Sequence, residues 1–223
     1  MSEKNHDNYR DEHYDKLLCL FTAAEARFSL LDWELIEQGL AERTLCGALM
    51  NRLNEIICFD GHAYNLVPEI VADVEYNRLW KSQLDGDDGD NKKRIVVERK
   101  ENRRKHKGYI FTDIIVHKRK STCNEIAIEV KKIGNSDHIT RREKKGIHSD
   151  RDRLKNLTSQ DGDYKYKMGI LCVFHPWNIQ EDSFGITHEF YKDGKFVDKE
   201  VVIYRVKEKR ESTKAEGIHA LML

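Results

Sequence analysis

Apolar positions recur at helical spacing twice within the first sixty residues. Between Tyr14 and Phe28, the residues Leu17, Leu18, Phe21, Ala24 and Phe28 return every few positions, which predicts a helix with one buried face. A second helix is predicted over Ala41 to Cys58. There Leu45, Cys46, Leu49, Met50, Leu53, Ile56 and Ile57 form a single stripe, and Asp60-Gly61 ends it. The period then shortens to two. IVADVEYN (70–77) alternates, while Tyr109–His117 and Ile126–Lys131 are β-branched apolar runs with polar residues inserted, as strands require. Asp150–Leu157 reads as a helix through Leu154 and Leu157, and Met168–Phe174 is the continuous apolar run of a buried strand. Asp193-Gly194, set between FY and FV, predicts a hairpin turn, and VVIYRV (201–206) predicts a last strand. This order predicts an α/β fold with a mixed central sheet flanked by helices. A single domain over 1–223 is expected, with an N-terminal helical elaboration, a core over about 41–174 and C-terminal strands.

Composition narrows the class. The chain is 39% apolar and 35% charged, so it can bury a full core beneath a heavily charged surface. No apolar run approaches the length of a membrane span, and the N-terminus MSEKNHDNYRDEH lacks the apolar stretch of a signal peptide. The five cysteines are odd in number and widely spaced, which points to reduced thiols and a cytoplasmic protein. The net charge of zero hides an asymmetry. The first 90 residues carry 19 acidic against 8 basic side chains, and the rest carry 31 basic against 20 acidic. The sharpest concentration is KKRIVVERKENRRKHK (92–107), with nine Lys or Arg against two Glu. Its Lys92, Lys93, Arg94 and Arg99 are candidate contacts to a phosphate backbone, the alternative being a solvated loop neutralised by the acidic run DGDDGD before it.

The candidate chemistry lies on two predicted strands. In FTDIIVH, a period of two puts Phe111, Asp113, Ile115 and His117 on one face; in AIEVK it groups Ala127, Glu129 and Lys131. Charges placed among apolar neighbours need partners, because an uncompensated buried carboxylate costs several kcal/mol. A divalent cation between Asp113 and Glu129, with Lys131 beside it, supplies them. Such hard-oxygen ligands suit Mg²⁺, with Mn²⁺ as a substitute. An ordinary solvated edge strand also carries Glu and Lys, so the spacing alone does not choose.

The pattern Asp113, 15 intervening residues, then Glu129-Val130-Lys131 resembles the PD-(D/E)xK signature of the restriction-endonuclease-like nucleases. D-V-E-Y-N-R at 73–78, T-D-I-I-V-H-K-R at 112–119 and I-E-V-K-K at 128–132 look like a branch of small prokaryotic members of that superfamily. The likeness runs from about Ala41 to Phe174. Thr112 departs from it, standing where the signature has proline. The resemblance implies a restriction-endonuclease-like core: a helix, a three-stranded meander, a helix and a fourth strand. It also implies an acidic residue from the first core helix, for which Glu42 is the candidate; Glu75, ahead of Asp73, is the alternative third metal ligand. The implied activity is Mg²⁺-dependent hydrolysis of nucleic acid, with DNA as the expected partner and an endonuclease as the expected enzyme. A homodimer would suit cleavage of both strands. The other reading of the same residues is a nuclease-fold module, weak or inactive in catalysis, that binds DNA or a protein.

Overall fold

The computed structural model of the chain describes residues 12–76, 95–101, 104–110, 112–119, 121–134 and 139–205; the side chains of Glu75 and Tyr76 and those within 95–110 lie outside this description. Helix α1 (Glu12–Leu31) opens on Glu12 and Asp15, acidic groups that suit the positive end of a helix. It buries Tyr14, Leu17, Leu20, Phe21, Ala24 and Phe28. After the short helix α2 (Trp33–Glu37) comes α3 (Glu42–Asp60), which buries Leu45, Cys46, Leu49, Leu53 and Ile56 along the predicted stripe. Arg52 of α3 donates to both oxygens of Asp32, at 2.7 and 3.0 Å, and so ties α3 to the end of α1.

Strands β1 (Ile70–Tyr76), β4 (Thr112–Lys118), β5 (Asn124–Lys132), β6 (Met168–Phe174), β7 (Ser183–Lys192) and β8 (Lys195–Arg205) form one mixed sheet in that order. Within it β5 and β6 run parallel, and every other neighbouring pair is antiparallel. A parallel pair needs a crossover, and α4 (Arg141–Thr158) supplies it. The sheet separates two apolar layers. Ile114, Val116, Ile126, Ile128 and Val130 pack with α1 and α3, while Ile115, Ala127, Leu171 and Val173 pack with Ile147, Leu154 and Leu157 of α4. Asn54 of α3 bonds both the N–H and the C=O of Ala72 in β1, at 2.8 and 2.9 Å, occupying backbone groups of that edge strand.

Three elements differ from expectation. The run Tyr109–His117, predicted as one strand, is divided: β3 (Arg104–Ile110) pairs with β2 (Ile95–Glu101) in a separate ribbon, and β4 begins at Thr112 in the main sheet. Helix α4 starts at Arg141, well before Asp150, because Thr140 and Glu143 form a capping box. The last hairpin turns at Asp193-Gly194 as predicted, both residues having positive φ (51° and 74°), but its first arm β7 is a full ten-residue strand. The five cysteines form no disulfide, and among the described residues no helix is long and apolar enough to cross a membrane.

Candidate active site

Alternation on β4 and β5 decides which charges meet. Glu129 and Lys131 share the α4 face with Ala127, and Ile115 marks the same face of β4 for Asp113. The β4–β5 ladder runs as far as Ile114 and Ile128 at this end. Beyond it, Asp113 accepts the Val130 N–H through Oδ2 at 2.8 Å, so a side chain takes over a ladder bond and one carboxylate oxygen is fixed. Thr112, at the position of the expected proline, is buried and begins β4.

Two further elements close on the cluster. Glu42, the first residue of α3, accepts the Lys132 N–H through Oε1 at 3.2 Å and pairs with Lys131 Nζ through Oε2 at 3.4 Å. From α4 come Asp150 and Arg153, neither of which is in the site predicted from sequence. Asp150 pairs with Lys131 at 3.1 Å and with Arg153 at 3.3 Å. Arg153 Nη1 donates to Glu129 Oε2 at 2.6 Å. A signal for Asp150 is present in the chain: it stands in register with Ile147, Leu154 and Leu157, a carboxylate in an apolar stripe. Asp152, two residues on in the same helix, is exposed.

Glu129 has no exposed surface. Four glutamates are buried among the described residues: Glu25, Glu125, Glu129 and Glu189. Three have both oxygens occupied. Tyr204 reaches both oxygens of Glu25; His13 takes one oxygen of Glu125 while Cys123 and Lys167 take the other; Arg151 grips both oxygens of Glu189, with Tyr191 on one of them. Glu129 differs. Its Oε2 holds Arg153, and its Oε1 is buried without a hydrogen bond. An unsatisfied buried acceptor costs on the order of 1–3 kcal/mol, so an outside donor or cation at this atom would be favoured.

The electrostatics follow from crowding. Burial pushes the Glu129 carboxyl well above the usual carboxylate range; Arg153 opposes this, and Asp113 and Asp150 add to it. Burial likewise raises Asp113 against the Val130 N–H and Lys131, with Glu42 adding to the rise. Asp150 is raised by burial against Lys131 and Arg153. For Lys131, burial alone would lower the ammonium, but Asp150, Glu42 and Asp113 outweigh it and hold it above its ordinary value.

Asp113, Glu129, Lys131 and Glu42 are thus brought together. Glu75 is placed only by its backbone, between Val74 and Tyr76, which pair with Ile114 and Thr112; its side chain lies outside the described residues. Asp73 is already engaged by His117 at 3.0 Å and by Arg119 at 2.9 Å, so it serves β1 and β4 and not the cluster. Lys92, Lys93 and Arg94 fall outside the described residues. Arg99 lies in β2, opposite His106, with its side chain undescribed. Among the described residues, no three His, Cys, Asp or Glu side chains are already grouped to hold a metal ion. Lys131 and Arg153 stand between the carboxylates instead. A Mg²⁺ site needs only one or two carboxylates, with water and substrate phosphate completing the shell. The open oxygen of Glu129 and the half-used carboxylate of Asp113 fit that requirement. Comparison with protein-family models, curated proteins and solved structures returns no match.

Proposed function

We propose that the chain is a metal-dependent nuclease of the restriction-endonuclease-like class, hydrolysing phosphodiester bonds of nucleic acid, with DNA as substrate. The observation that carries this reading is the buried, unpartnered Oε1 of Glu129, set in a cluster with Asp113 and Lys131. The succession α3, β1, β4, β5, α4, β6, interrupted by the separate β2–β3 ribbon after β1, with β6 parallel to β5, supports the fold assignment.

In this reading Asp113 and Glu129 hold Mg²⁺, which supplies a water of lowered pKa and neutralises phosphoryl charge. Lys131, kept protonated by Asp150, Glu42 and Asp113, donates to the phosphate oxygens as negative charge develops on them. Glu42 anchors the Lys132 backbone and shares Lys131 with Asp150, which fixes where the ammonium stands. A second reading, an inactive module of the same fold, draws on the neutralisation of the carboxylates by Lys131 and Arg153 within the protein itself. Plasmid nicking with Mg²⁺ or Mn²⁺, on single- and double-stranded substrates, separates the two. Asp113→Ala, Glu129→Ala and Lys131→Ala are each expected to reduce cleavage at least about a hundredfold in folded protein, with double variants little worse than single ones. Wild-type cleavage by the Glu129 variant refutes the assignment.

A further inference from the structure

Among the described residues, Arg153 is the cation bonded directly to the open carboxylate, and it holds that carboxylate by one oxygen only. Its guanidinium spans two acids, Nη1 to Glu129 at 2.6 Å and Nη2 to Asp150 at 3.3 Å. Helix α4, which carries Arg153, is packed on the sheet through Ile147, Leu154 and Leu157, so the fork approaches Glu129 from a fixed backbone. The planar five-donor group suits a two-acid bridge that a lysine ammonium cannot copy. We propose that Arg153 is a positioning residue for a divalent ion: it clamps Glu129 through Oε2 and leaves Oε1 for the metal. This inference rests on the metal-site reading above.

The opposite role, an internal cation that the metal must displace, meets two difficulties. Displacing Arg153 would take from its guanidinium the shorter of the Glu129 and Asp150 contacts and leave it beside a second cation in a desolvated site. The charge count also favours its staying. Asp113, Glu129, Asp150 and Glu42 set against Lys131 and Arg153 leave two negative charges when all are ionised, which one divalent ion neutralises. Carboxylate ligands held by a second layer of donors lose about ten- to a hundredfold in metal affinity when that layer is removed.

The test is Mn²⁺ binding to the full chain without nucleic acid, by calorimetry and by the electron paramagnetic resonance of the bound ion. Arg153→Gln is expected to weaken Mn²⁺ binding at least about tenfold, with Arg153→Lys recovering part of the loss. If Arg153→Gln does not fold, Arg153→Lys carries the test, with affinity below wild type as the expected result. Equal or tighter binding by the folded variants overturns the positioning role while leaving the metal site intact. Failure of the wild type to bind Mn²⁺, or binding that Glu129→Gln does not change, overturns the metal-site reading and this inference with it.

Discussion

Replacing Asp113 by Asn removes one charge from the cluster and almost no volume. The side chain keeps an oxygen for the Val130 N–H, so the local backbone has no reason to move. Burial already holds the Asp113 carboxyl above the usual range, with Glu42 adding to the rise. Such a group stabilises the fold fully below its unfolded pKa, and that contribution is lost as pH rises through the raised folded value. The same sign applies to Glu129, whose carboxyl is raised further. Relative to Asp113→Asn, metal-free wild type is therefore expected to gain stability as pH falls from neutral into mild acid, with the Asn variant matching or exceeding it at neutral pH. Metal is expected to reverse the order. An ion at a hundred times its dissociation constant adds about 2.7 kcal/mol to a protein that binds it only when folded. For a chain of 223 residues, each kcal/mol moves Tm by about 2–4 °C, so wild type should gain about 5–11 °C. Asp113→Asn, left with Glu129 as its main ligand, should gain less than about 2 °C and lose cleavage at least about a hundredfold. Thermal melts of both proteins with and without Mn²⁺, paired with plasmid nicking, read all of this. A full metal-induced rise in the Asn variant, or none in wild type, refutes the reasoning.

Neutralising Lys92, Lys93, Arg94 and Arg99 together is expected to weaken DNA binding and to flatten its salt dependence. The log–log slope should fall by about 0.9 for each phosphate that the variant no longer neutralises, with turnover at saturating substrate unchanged. Fluorescence anisotropy across a salt series measures it, and an unchanged affinity and slope returns the segment to a solvated role. His188 tests the apolar layer beneath α1. Its ring packs edge-on against Phe21 at 5.3 Å, and burial pulls its pKa down from 6.5 to about 4. Stability is therefore full above the unfolded value and falls as pH drops toward 4, a difference of about 3 kcal/mol. His188→Phe should flatten acid denaturation over that window; an unchanged acid profile counts against the buried neutral ring.

Much of the fold is legible because burial leaves a period in the chain. The stripe of α3, the alternation of β1 and the apolar run Met168–Phe174 each mark an element of the right kind and nearly the right length. What stays hidden depends on partners and not on periodicity. Tyr109 to Val116 contains no breaker, yet its two halves pair in different sheets, and no local pattern carries that choice. The first turns of α4, RREKKG, hold no apolar residue at all. Their start is written instead as Thr140-x-x-Glu143, a capping signal that a search for apolar stripes passes over. The site divides along the same line. Asp113, Glu129 and Lys131 are legible because charge interrupts strand alternation. Arg153 is not, since its pairing with Glu129 follows from how α4 crosses the sheet.

The buried glutamates also separate what the fold needs from what it merely tolerates. Glu189 and Arg151 make a pair in which both carboxylate oxygens are used, with Tyr191 completing it, so their burial closes without any outside group. Glu129 and Arg153 resemble that pair in kind but not in completion. A buried ion pair is weak evidence for stability, because apolar residues of similar volume often serve as well or better. An incomplete one is weaker still, since it keeps the desolvation cost and leaves one acceptor unmade. Packing alone therefore does not account for the Glu129–Arg153 pair beside Ile115, Ala127 and Leu171, where two apolar side chains would find an apolar surround. The cost becomes intelligible when Oε1 is a ligand waiting for a cation. The same reasoning makes Glu129, more than Asp113, the residue on which the nuclease reading stands or falls.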